Sequence, residues 1–183
     1  MRFHNYNKLK GFTLTEILLV LVIAAAIVIS AFIIYPKVKA SDEIKKETYN
    51  ITTIFNGSKS IFSSKADYSG WDLIVLDQAD ALPKDMIIKM NEYRSAWGLP
   101  IRGSMYQDPS TSKYTGFTLI YQVPTDHCTK FVSAVYPMTT VIKSMSVYLK
   151  KDQGEAIDVN KISTACASPY MSNIVNIELS FTP

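Results

Sequence analysis

The stretch that decides the fold is Lys10-Gly11-Phe12-Thr13-Leu14-Thr15-Glu16, followed by an almost unbroken apolar run over residues 17–35. Ser30 is the one polar residue inside that run. About 20 apolar residues are enough for a helix to cross the hydrocarbon core of a bilayer. Because Lys8 and Lys10 precede the run, the positive-inside rule places the rest of the chain on the outer side of the membrane.

Glu16 is the only side chain between Lys10 and Lys37 that is charged at neutral pH. A carboxylate in hydrocarbon costs roughly 2–4 kcal/mol or more, so it is retained there with a partner or a function. A cleavable secretory signal fits poorly, since its apolar region is shorter and a small-residue cleavage site follows that region. Here the small residue, Gly11, comes before the run. A plain signal-anchor helix with a stray glutamate is the alternative interpretation.

The basic leader, Gly11, Phe12, Glu16 and the long apolar helix together resemble the class III signal of type IV pilins and pseudopilins. The resemblance implies that a prepilin peptidase cleaves between Gly11 and Phe12 and that Phe12 is then N-methylated. It also implies that Glu16 acts in assembly of a helical homo-oligomeric filament by the pilus assembly machinery. The precursor would lie in the bacterial inner membrane and the mature protein in an extracellular pilus.

Physical chemistry supports that interpretation of the motif. Gly11 has no side chain to obstruct the cleavage, and the cut creates a cationic amine on Phe12. That amine can pair with Glu16 of a neighbouring subunit and set the axial register, a role for which buried polar pairs are well attested. Alternatively, Glu16 contacts its own N-terminus, and both contacts can occur at different stages.

The composition fits a membrane-tethered domain outside the cytoplasm. The chain has 19 basic and 16 acidic residues, and removal of Arg2, Lys8 and Lys10 with the leader leaves 16 of each. There is no basic stripe and no nucleic-acid motif in the sequence, so we predict no nucleic-acid partner. We predict three segments: a cleaved leader (1–11), a transmembrane and assembly helix (12–35), and an extracytoplasmic globular domain (36–183) that includes the second half of the long helix.

Cys128 and Cys166 lie in the outer part of the chain. An even pair of cysteines in an exported chain predicts a disulfide. Two free buried thiols would be expected only in a cytosolic domain. His127 is adjacent to Cys128, but the only other histidine, His4, falls in the leader, so a metal site is not predicted.

Hydrophobic spacing predicts that the helix continues to about residue 62, with one face formed by Ile44, Ile51, Ile54, Phe55, Ser58 and Phe62. The opposite face would carry Lys45, Lys46, Glu47 and Asn50. Pro36 would kink or loosen the helix. Two glycosylation sequons, at Asn50 and Asn56, are interpreted as chance matches.

The remaining chain predicts an α+β fold: the long helix packed on a small antiparallel sheet, which is the pilin fold that the resemblance implies. Short elements are predicted at 73–81 (helical) and 86–90 (strand), with a polar hairpin loop at 108–116. Strands are predicted at 117–123, 141–149 and 174–181. Helices are predicted from a cap at Thr125 or Asp126 through Val135, and at 159–165.

Two short segments resemble type IVb pilins: Trp97-Gly98-Leu99-Pro100-Ile101, and residues 117–128 with Val123-Pro124 before the cysteine. The 11-residue leader and a Phe at the first mature position are closer to type IVa. The sequence has no phosphate loop, nucleophile elbow or histidine cluster, so we predict no catalytic residues and no cofactor.

The predicted function is that of a structural subunit of a type IV pilus, with roles in attachment, aggregation or conjugation. A minor pilin, a tip adhesin and a type II secretion pseudopilin are the alternatives.

Overall fold

In the computed structural model, the described residues are 13–144, 148–150, 159–167 and 173–182. Helix α1 (Leu14–Phe62) is the only described helix that is long and apolar enough to cross a membrane. It runs through Pro36, which removes one main-chain hydrogen bond from the helix. The chain divides into two compact units, and the boundary between them falls within α1. Met1–Lys39 is called here the first unit, and Ala40–Pro183 is called the outer unit.

The second half of α1 buries one face, as the hydrophobic spacing predicts. The buried residues recur at three- and four-residue steps and are Ile44, Glu47, Asn50, Ile51, Ile54, Ser58 and Phe62. The prediction that Glu47 and Asn50 face solvent is wrong, since both are almost completely buried. Glu47 is three residues after Ile44 and four before Ile51, so its position in the helix turns it inward despite its charge.

Within the described residues, the sheet of the outer unit has seven strands, and every pairing between them is antiparallel. In chain order they are β1 (Ile87–Lys89), β2 (Glu92–Arg94), β3 (Pro100–Gln107), β4 (Tyr114–Pro124), β5 (Val141–Ser144), β6 (Tyr148–Lys150) and β7 (Ile174–Phe181). Their spatial order is β1-β2-β3-β4-β7-β5-β6. The last strand therefore lies in the interior of the sheet, between β4 and β5.

The predicted single strand over 141–149 is wrong. The chain reverses direction there, because β5 and β6 pair antiparallel, with Ile142 opposite Leu149. The predicted loop 108–116 ends early, since β4 begins at Tyr114. The strand β2 is an addition to the predicted elements.

In the described part of the outer unit there are three further helices: α2 (Leu73–Gln78), α3 (Thr125–Val135) and α4 (Val159–Cys166). Single 3-10 turns occur at Lys84–Met86 and Tyr136–Met138. The predicted side-chain cap of α3 is wrong: its N-cap is Pro124, with no side-chain hydrogen bond. The amide of Thr125 instead donates to the carbonyl of Asn173, at 3.0 Å.

The core lies between α1 and one face of the central strands. Alternate residues of β4 are completely buried, namely Phe117, Leu119, Tyr121 and Val123. Phe117 stacks on Phe181 of β7 at 5.0 Å between ring centroids and on Trp71 at 4.5 Å. The indole Nε1–H of Trp71 donates to Ser58 Oγ of α1 at 2.8 Å, so this buried polar pair is satisfied.

Candidate functional site

The first turn of α1 forms a capping box. Thr13 is the residue before the helix, and its main-chain N–H donates to Glu16 Oε2 at 2.8 Å. In return the Glu16 N–H donates to Thr13 Oγ1 at 3.3 Å. The Thr13 hydroxyl also donates to Glu16 Oε2, at 3.0 Å. Two orphan amides of the helix start are thereby satisfied by reciprocal side chains.

The capping box bears directly on the alternatives for Glu16. Its carboxylate is already held by local contacts to Thr13, and it lies where the helix dipole favours a negative charge. The spacing Thr13-x-x-Glu16 matches the capping-box pattern, so the sequence alone contains the signal for this helix start. Gly11 and Phe12 lie outside the described residues, so their cleavage and methylation stay predictions.

The first unit presents apolar side chains on every side of the helix. All residues from Thr13 to Lys39 are exposed. Among the large apolar ones, exposure ranges from 51% at Val38 to 77% at Leu14. A helix that is apolar all round needs an apolar environment on all sides, which a bilayer or a bundle of other helices provides.

The two cysteines form a disulfide, with the sulfur atoms 2.03 Å apart. Cys128 is in the first turn of α3 and Cys166 is the last residue of α4. Both are buried, and Ile162 of α4 is buried beside them in the same core. The disulfide therefore fastens α4 to α3 and closes a chain segment that contains β5 and β6.

His127 contributes to no metal cluster among the described residues. Its Nε2 lies 3.9 Å from a carboxylate oxygen of Glu43 on α1 and 3.6 Å from one of Asp126. Its ring stacks on Trp97 with 6.1 Å between centroids. These contacts join α3 to α1 and to the chain between β2 and β3.

A buried acidic side chain in the second half of α1, Glu47, is the functional candidate that the sequence analysis missed. Its Oε1 accepts the main-chain N–H of Ala96 and, at 3.4 Å, an amide hydrogen of Asn50. Burial raises the pKa of Glu47 from an ordinary 4.5 to about 7, against the lowering effect of those hydrogen bonds. Asn50, which carries one of the two sequons, is also almost completely buried in the folded structure.

Comparison with known proteins identifies the class. Residues 41–178 match a family model described as PilS N terminal. The chain is also similar to a solved structure described as the crystal structure of type IV b pilin from Salmonella typhi, with a TM-score of 0.57 and 17% sequence identity. That alignment covers 74% of this chain and 96% of the other. No curated protein matches the sequence.

A long N-terminal helix packed on an antiparallel sheet is thus the pilin fold in this chain, and the predicted likeness to type IVb pilins is confirmed. The chain belongs to the PilS family of type IV pilins. Both the family and the fold are structural rather than enzymatic.

Proposed function

We propose that this pilin is a structural subunit of a type IV pilus, polymerised through the first half of α1 into a helical filament of identical subunits. A prepilin peptidase releases the leader after Gly11, and Phe12 is N-methylated. The precursor is anchored in the inner membrane by α1, and the mature subunit passes into the extracellular filament. The single observation that carries the proposal is the uncovered apolar half of α1 with one acidic residue at its start.

The exposed apolar surface supports a helix that exchanges one apolar environment for another. Apolar surface in water costs about 25 cal/mol per Å², so residues 17–35 need lipid or protein around them at every stage. Before assembly the bilayer surrounds them, and in a filament the same side chains contact the corresponding helices of neighbouring subunits. Tight packing between such helices stabilises the filament through dispersion.

Glu16 is the polar group in this exchange. In the free subunit its carboxylate caps its own helix through Thr13. An incoming Phe12 amine adds a charged hydrogen bond to that carboxylate, and such bonds are roughly twice as strong as neutral ones. The capping contacts also hold the Glu16 side chain at the helix start, so that it is oriented before the amine arrives.

Two substitutions separate the charge of Glu16 from its capping role. Glu16→Gln keeps an oxygen that can accept the Thr13 amide but removes the charge, whereas Glu16→Ala removes both. We expect both variants to reach the membrane in normal amounts, since each makes the helix less polar. We expect both to give few filaments or none, measured by electron microscopy of the sheared fraction and by immunoblots of that fraction and of the membranes.

The three other outcomes each reject part of the proposal. Normal filaments from Glu16→Gln with none from Glu16→Ala would make Glu16 a helix cap and not an assembly charge. Normal filaments from both variants would remove Glu16 from assembly. A trace of wild-type chain in sheared filaments, instead of the main band, would make the protein a minor pilin.

A further inference from the structure

Glu47 lies at the centre of a buried polar cluster between α1 and the sheet. Its side chain has no solvent exposure. Oε1 has two donors, from Ala96 and Asn50, whereas Oε2 is buried and has no hydrogen-bond partner among the described residues. An ionised carboxylate buried with one oxygen unsatisfied is costly, while the protonated acid is neutral and gains a donor.

The titratable groups that face Glu47 do not neutralise a negative charge there. On β4, the Tyr121 hydroxyl is completely buried, without a well-aligned partner, yet close enough that it and Glu47 affect each other's pKa. In the 3-10 turn Lys84–Met86, the like charge of Asp85 disfavours ionisation of Glu47. Lys46, the nearest cation in sequence, has its ammonium 2.7 Å from Asp85. Among the described residues, Glu47 has no ion pair.

The cluster also includes a turn of the chain between β2 and β3, residues 95–99, called here the 95–99 turn. It closes through Ser95 N–H to Leu99 O at 2.9 Å and Gly98 N–H to Ser95 O at 2.8 Å. The main-chain N–H of Ala96 points away from these bonds and donates to Glu47. Trp97 packs edge-on against Phe131 of α3, at 5.2 Å between centroids.

We propose that Glu47 is a proton-operated latch: as the protonated acid it fastens the 95–99 turn to α1, and loss of its proton releases the turn. The ionised carboxylate reaches water only if the groups that cover it move. The 95–99 turn is an irregular segment, whereas α1 and β4 are held by regular hydrogen bonding along their length, so the turn is the cover that moves. Opening of the turn therefore accompanies ionisation and leaves the sheet intact.

The shift in proton affinity sets the size of the effect. With a pKa of about 7 in the closed form and 4.5 in a solvated open form, the open population rises with pH. Proton linkage between those two values gives an increase of about tenfold between pH 6 and pH 8.5. Proton exchange of the Ala96 amide reports that opening directly, because this amide is held by the latch itself.

The test is hydrogen–deuterium exchange of the full chain in detergent micelles, from pH 6 to 8.5, corrected for the intrinsic pH dependence of exchange. We expect protection of the 95–99 turn in the wild type to fall about tenfold across the midpoint. Protection of residues 117–123 of β4 should stay constant. In Glu47→Gln the protection of the turn should be independent of pH, because the amide oxygen accepts from Ala96 at any pH.

Two further variants keep the test decisive. His127→Gln removes the imidazole ring that stacks on Trp97, and we expect it to keep the wild-type pH dependence. Tyr121→Phe removes a hydroxyl that favours the carboxylate, so its midpoint should move to higher pH even if Glu47→Gln fails to fold. The latch is rejected if the wild-type turn shows no pH dependence or if Glu47→Gln retains it. It is equally rejected if His127→Gln abolishes it, or if Tyr121→Phe leaves the midpoint unchanged.

Discussion

We predict that removal of the Cys128–Cys166 disulfide destabilises the outer unit, and that the number of residues between the two cysteines determines by how much. The bond joins residues 38 positions apart. In the chain-entropy model, closing a loop of that size restricts the unfolded chain by about 4 kcal/mol. Among the described side chains of α4, Ile162 and Cys166 are the buried ones. Apart from the disulfide, Ile162 is therefore the described side chain that holds α4 in the core.

Urea unfolding of the full chain in detergent, followed by tryptophan fluorescence, measures this loss. Both tryptophans, Trp71 and Trp97, lie in the outer unit, so the signal reports that unit. With a typical urea dependence of about 1–3 kcal/mol/M, a loss of about 4 kcal/mol lowers the midpoint by roughly 2 M. The variant is the double substitution Cys128→Ala with Cys166→Ala, since one substitution alone would leave a free thiol.

Two controls distinguish the bond from the side chains that form it. Reduced wild-type protein should unfold at nearly the same urea concentration as the double variant. Ser133→Ala, also on α3 and half-buried, should stay within about 0.5 kcal/mol of the wild type. A loss below about 1 kcal/mol in both the reduced protein and the double variant would refute the loop-entropy reasoning. Thiol alkylation of the oxidised protein would refute the disulfide itself.

Three further predictions concern two glycine substitutions and the protonation of Glu47. Gly11→Glu should leave the leader attached and the chain in the membrane, and normal mature protein by mass spectrometry would contradict the cleavage assignment. Because the pKa of Glu47 is raised on folding, its stabilising contribution is complete below pH 4.5 and is lost as pH rises to about 7. The resulting decrease in the free energy of unfolding between pH 5 and pH 8 is about 2–3 kcal/mol, measurable by urea titration at those two pH values. Gly103→Ala would bring a Cβ within 2.7 Å of the Trp71 ring, so it should cost about 1–3 kcal/mol, and an unchanged urea midpoint would contradict this packing.

Local periodicity accounts for the parts of the fold that the sequence predicts well. The three- and four-residue spacing from Ile44 to Phe62 follows from helix geometry alone, and the structure buries that face. The strand that ends at Pro124 alternates between apolar and other residues, and its central position buries the apolar set. In both cases neighbours along the chain suffice to determine which side chain turns inward.

Elements that depend on distant partners were not predictable in the same way. Strand β2 is three residues long and is defined by its pairing with β3, with Tyr93 opposite Ile101. The reversal between β5 and β6 has no Gly, Pro, Asn or Asp to mark it, so residues 141–149 have the pattern of a single strand. The charge of Glu47 predicts a position on the solvent-facing side of α1, whereas its spacing from Ile44 and Ile51 places it on the buried face.

Glu16 and Glu47, which lie on the apolar and the core-packed parts of α1, present the same physical problem with different solutions. Glu16 begins an apolar segment, and Glu47 is enclosed by the core of the outer unit. Neither has a cation in contact among the described residues, so each carboxylate is an unneutralised charge in a poorly polarisable setting. At Glu16 the proposed compensation is an amine that arrives with another subunit, so the charge is useful only in assembly. At Glu47 the compensation is a proton, which is available to every subunit by itself. Substitution at Glu16 should therefore change filament yield at any pH, whereas Glu47→Gln should change the outer unit only where the wild-type residue is ionised.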